Sequence, residues 1–102
     1  MRKLLISAAA VAATAAIAVP AFAGTAHVNV GDNFFRGKTV TIRKGSSVKW
    51  TWTGRNPHNV TFRGFSSRTI VKGSYSHTFR KTGTFAYRCT IHSGMTGKVV
   101  VK

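Results

Sequence analysis

Residues 84–95 read Thr84-Phe85-Ala86-Tyr87-Arg88-Cys89-Thr90-Ile91-His92-Ser93-Gly94-Met95. Phe85, Tyr87 and Cys89 fall at every second position, the period of a strand with one buried face. A thiol, an imidazole and a thioether then follow within seven residues. That spacing suits a loop between two strands: Cys89 ends the first, His92 sits on the loop and Met95 lies near its end. Gly94 and Gly97 permit the tight backbone turns such a loop needs. A second histidine stands well upstream, in Asn56-Pro57-His58-Asn59-Val60.

Each residue alone has an ordinary explanation. A single cysteine is usually a small core hydrophobe, and a methionine usually fills a gap. Together, one thiolate, two imidazoles and one thioether form the ligand set of a trigonal His₂Cys copper site with a weak axial Met. Cu(I) favours the sulfur donors and Cu(II) the imidazoles, so the set is a compromise that both oxidation states tolerate. Structural zinc sites use more cysteines and lack methionine. His58 arrives from another strand, which makes the site a clasp across the fold. His27 and His77 have no such company; His77 alternates with Tyr75 and Phe79 and reads as structural.

The rest of the chain repeats the strand-and-turn pattern. Strands are expected at 27–30, 39–42, 48–52, 59–62, 75–79, 84–89 and 98–101. Turns are expected at Gly31-Asp32-Asn33, Arg43 to Ser46, Thr53 to Pro57, Gly64 to Ser67 and Lys81-Thr82-Gly83. Val48, Trp50 and Trp52 share one face. Short strands at this spacing predict an all-β fold, a Greek-key β-sandwich of seven to eight strands.

Residues 1–23 read as a cleaved signal peptide. Arg2 and Lys3 form a positive start, Leu4 to Val19 an apolar run, and Ala21-Phe22-Ala23 a small-x-small cleavage site. The apolar run is shorter than the roughly 20 residues a membrane span needs. A single domain, 24–102, follows, expected to be exported to the periplasm, the cell envelope or the extracellular space and without a transmembrane span. So small a domain has little core. One cysteine excludes an internal disulfide, and a bound metal can supply the missing stability.

Charge is the other dominant property. The chain carries 16 Lys and Arg against one acid, Asp32, for a formal net charge of +15. Only Arg2 and Lys3 of those cations belong to the expected signal. Such a field attracts acidic proteins or an anionic envelope surface. The cations are scattered over many strands rather than arranged as a groove with stacking aromatics, and with the export signal this argues against nucleic acid. A lone carboxylate side chain leaves no acid–base pair, so little in the sequence supports hydrolytic or acid–base catalysis.

The chain resembles the cupredoxins, the small blue copper proteins. Pro57-His58-Asn59-Val60 and the Cys89-x₂-His92-x₂-Met95 loop match ligand motifs of the plastocyanin, amicyanin and pseudoazurin group. Asp32-Asn33-Phe34-Phe35, Val40 to Gly45 and Val48-Lys49-Trp50 resemble the first strands of bacterial members. The resemblance implies one type 1 copper ion, held by His58, Cys89 and His92 with Met95 as weak axial ligand. It also implies that the Asn59 N–H donates to the cysteine sulfur while its side chain ties the two loops together, at Thr90. Ile91 departs from the proline usual between Thr and His in that loop. Proline lacks an N–H, so Ile91 offers one further donor to the sulfur. A shorter stretch between His58 and Cys89 is a second departure.

The function these features imply is one-electron transport by a monomer between redox proteins with acidic docking surfaces, the electron leaving through His92. The alternative is a periplasmic copper-binding, chaperone or storage module with no electron-transfer role. Filled ligand positions leave no site for substrate on the metal, so no enzymatic activity is expected.

Overall fold

The structure, a computed structural model, describes residues 21–102. The expected signal lies outside the described residues except for its last three. Eight strands form: β1 (Thr25–Gly31), β2 (Phe34–Arg36), β3 (Thr39–Ile42), β4 (Ser47–Trp52), β5 (Thr61–Phe62), β6 (Ser74–Thr78), β7 (Gly83–Arg88) and β8 (Thr96–Val101). They make two four-stranded sheets, ordered β2-β1-β4-β6 and β3-β8-β7-β5. Among the described residues there is no helix, as the strand-period pattern requires.

Each sheet contains one parallel pair. β1 runs beside β4 from Thr25↔Ser47 to Val30↔Trp52, and β3 beside β8 from Thr39↔Lys98 to Ile42↔Val101. The remaining pairs are antiparallel.

The core lies between the sheets. Val28 and Val30 of β1, Val48, Trp50 and Trp52 of β4, and Val99 and Val101 of β8 are all buried. Alternation puts them on inward faces, and burying each valine contributes about 1.5–3 kcal/mol. Trp50 is the centre of an aromatic cluster. It stands edge-on to Phe62 at 5.7 Å and to Tyr87 at 5.5 Å.

Two elements differ from the sequence reading. Asn33 adopts φ 74°, and the tight turn it makes lets Phe34–Arg36 fold back on β1 as a short strand. The strand expected at 59–62 shrinks to Thr61–Phe62. The backbone of residues 58–60 pairs with the 66–70 segment instead: Val60 N donates to Ser67 Oγ at 2.9 Å and Ser67 N to the Val60 carbonyl at 2.8 Å. This diversion positions His58.

Candidate metal centre

The loop joining β7 to β8 is Cys89 to Met95, and it closes on itself. Cys89 N donates to the Met95 carbonyl at 3.0 Å, and Gly94 turns the chain at φ 79°. A side chain at that φ would be strained. Cys89 continues the inward face of β7 and is buried, as is Met95 at the loop's far end. His92 is only partly covered.

His58 comes from the β4–β5 loop and is fully buried. Its backbone is held on both sides. His58 N donates to the Ile70 carbonyl at 3.0 Å, and Ile70 N donates back at 3.1 Å. The indole Nε1 of Trp52 donates to the same His58 carbonyl at 3.0 Å. The ring therefore has little freedom to swing.

These constraints bring three donor atoms together. His58 Nδ1 lies 3.0 Å from His92 Nδ1 and 3.9 Å from Cys89 Sγ; His92 Nδ1 lies 3.5 Å from that sulfur. All three fall within 4.8 Å of one another. His58 Nε2 meets Asp32 Oδ1 at 3.0 Å. Hydrogen bonds from His58, then from the Asn56 and Arg55 N–H groups, pull the Asp32 pKa down to about 2. An ionised carboxylate only accepts, so Nε2 carries the proton and the Nδ1 lone pair faces the other donors. Donor atoms of soft and borderline character that converge this closely fit a copper ion, which would displace the protons now shared among them.

The tie between loops is also present. Asn59 Nδ2 donates to Thr90 Oγ1 at 2.8 Å, and Thr90 N donates to Asn59 Oδ1 at 3.1 Å. The same amide reaches Thr69 Oγ1 at 3.0 Å. The two backbone donors expected at the sulfur, Asn59 N–H and Ile91 N–H, form no hydrogen bond to Cys89 Sγ among the described residues. Ile91 instead presents its side chain to solvent beside His92.

His27 and His77 lie outside the cluster. His77 stacks on Phe65 with ring centroids 4.0 Å apart, and burial lowers its pKa. Sequence reasoning missed three contributors: Asp32, Trp52 as a donor, and Ile70. Asp32 read only as a turn residue. Its being the single acid among so many cations was the one available signal.

Residues 23–102 match the family described as copper binding proteins, plastocyanin/azurin family. The chain is 40% identical to amicyanin-alpha of Methylorubrum extorquens over 119 aligned positions spanning all of both proteins. It is 32% identical to the chloroplastic plastocyanin of Tetradesmus obliquus, covering 90% of this chain and 81% of that one. Among solved structures, an oxidised amicyanin variant superposes with a TM-score of 0.72 at 32% identity, over 78% of this chain and 83% of that one.

Proposed function

Because the chain belongs to the plastocyanin/azurin family of copper-binding proteins, we propose that His58, Cys89 and His92 hold its one type 1 copper ion, with Met95 as the weak axial ligand. The protein is a cupredoxin that carries electrons. One observation carries the ligand assignment: two histidine Nδ1 atoms and the Cys89 sulfur converge on loops tied to each other.

When bound, copper supplies the one-electron Cu(I)/Cu(II) couple. The protein's part is to keep the donor atoms where both oxidation states accept them. The Ile70 pairing and the Trp52 indole hold His58, Asn59 and Thr90 hold the loops together, and the core excludes water from Cys89. His92, partly covered beside exposed Ile91, is the route by which an electron leaves.

The partners are redox proteins, and the finer reading is that their docking surfaces are acidic. The excess of cations over a single acid supports it. The working form is a monomer; the signal pattern of residues 1–23 supports its export to the periplasm, the cell envelope or the extracellular space. Carriage rather than enzymatic turnover follows from four filled ligand positions and the lack of a second carboxylate.

The visible spectrum of the copper-loaded protein tests the assignment. An intense Cys-to-Cu(II) charge-transfer band is expected, abolished in Cys89→Ser. A band that survives that substitution overturns it.

A further inference from the structure

The single acidic side chain of this chain, Asp32, is partly exposed, yet all of its hydrogen bonds go to one loop and to His58. Asp32 sits at the β1–β2 turn and reaches across to the β4–β5 loop. Its oxygens accept the Arg55 N–H at 3.0 Å each, the Asn56 N–H at 3.0 Å, and His58 Nε2 at 3.0 Å. A Cβ at Gly54 would overlap this carboxylate, so the loop is built around it. Solvent charges cannot substitute for the contact at His58, whose side chain is fully buried.

The chemistry of this contact is specific. A neutral imidazole has one protonated nitrogen, and an acceptor at Nε2 places the proton there. Nδ1, which faces Cys89 Sγ and His92 Nδ1, is left as a bare donor. A negative acceptor on the far nitrogen also makes the ring a stronger donor, as carboxylate partners of metal-bound histidines do. A stronger nitrogen donor favours Cu(II) over Cu(I).

Resting on the copper assignment above, we propose that Asp32 is a positioning residue for electron transfer: it fixes the tautomer and aim of His58 and holds the reduction potential below the value the other ligands would set. The competing role, a cap that only orders residues 54–56, predicts loss of stability without a change in potential.

The test compares the copper-loaded parent with Asp32→Asn. Asparagine keeps the shape and can still accept an N–H from the loop, but it carries no charge. Thr25→Lys, at the opposite end of β1, adds the same unit of net charge far from His58 and serves as control. The Asn variant should retain the charge-transfer band and lose about tenfold in preference for Cu(II) over Cu(I), a rise of about 59 mV for one electron. The control should not shift. Equal potentials in parent and Asn variant, or equal shifts in variant and control, overturn the proposal.

If Asp32→Asn fails to fold, nitrogen NMR of His58 in the diamagnetic Cu(I) parent decides the matter. An Nε2 proton hydrogen-bonded to the Asp32 carboxylate supports the proposal, and an Nε2 proton that exchanges freely and shows no carboxylate partner overturns it. Absence of the Cys89-dependent band in the parent would instead refute the copper assignment itself, before any variant is compared.

Discussion

Asn59 and Thr90 hold each other by two hydrogen bonds, one from each residue: Nδ2 to Oγ1 at 2.8 Å and the Thr90 N–H to Oδ1 at 3.1 Å. Asn59 adjoins His58 and Thr90 adjoins Cys89. The pair therefore fixes the distance between the loops carrying the two most buried donors.

Asn59→Ala removes both bonds, together with those to Thr69 and from Thr61. At about 0.5–1.5 kcal/mol net for each bond lost, with part recovered by water, the expected loss is about 1–3 kcal/mol. For a domain of this size that lowers the melting temperature by several degrees or more. The metal-free protein should show the loss too, because the tie does not depend on copper. Calorimetry of both forms checks this.

Trp52→Phe keeps an aromatic ring in the core but removes the indole donor from the His58 carbonyl. Ile70 N remains as its partner, so the carbonyl is not orphaned. A cost of about 1 kcal/mol for the bond is expected, plus a term for the smaller ring. His58 becomes less well fixed, and the electron paramagnetic resonance lines of the Cu(II) form should broaden.

Met95→Leu preserves volume in a buried position, so stability should change by less than about 1.5 kcal/mol. Copper should still bind through the two histidines and Cys89. Cu(I) accepts a three-coordinate site better than Cu(II) does, so losing even a soft fourth donor costs the oxidised form more and the reduction potential rises. Voltammetry that shows no rise would remove Met95 from the ligand set.

Burial lowers the His77 pKa below its ordinary value of 6.5. The unfolded chain then binds a proton that the folded one resists, so stability is full above about pH 6.5 and falls as pH drops through the lower folded pKa. His77 faces Phe65 and Phe79, with ring centroids 4.0 and 4.8 Å away. In the copper-loaded protein, His77→Phe should flatten this acid-side decline and leave stability near pH 8 little changed. Thermal melts at a series of pH values check it.

Transfer to an acidic redox partner should slow steeply as salt rises from about 0.01 to 0.15 M, because the screening length shrinks from about 30 to 8 Å. The copper spectrum should not change over that range. Arg88→Glu, which reverses an exposed cation next to Cys89 in sequence, should weaken both the rate and its salt dependence. Stopped-flow kinetics separates these effects from loss of metal.

The strands were legible because period-two patterns and glycine turns are local. Val48, Trp50 and Trp52 share a buried face, as their spacing requires. The loop from Cys89 to Met95 was legible because its chemistry is contiguous in sequence. The clasp around His58 was not. Asp32, Ile70 and Trp52 reach it from three separate segments, and nothing in their own surroundings marks them. The shortening of β5 has the same origin: residues 58–60 are diverted by side chains of the following loop, Ser67 among them, which strand propensity does not register.

β8 lies in the interior of its sheet, with β3 parallel on one side and β7 antiparallel on the other. Its residues are the last of the eight strands to be synthesised. Until they arrive, β3 has no ladder and the loop from Cys89 to Met95 has no second anchor. Such distant pairings place folding in the slow, millisecond-to-second range. Assembly of the copper site therefore waits on β8, and a polypeptide ending at Met95 would carry every ligand and no site.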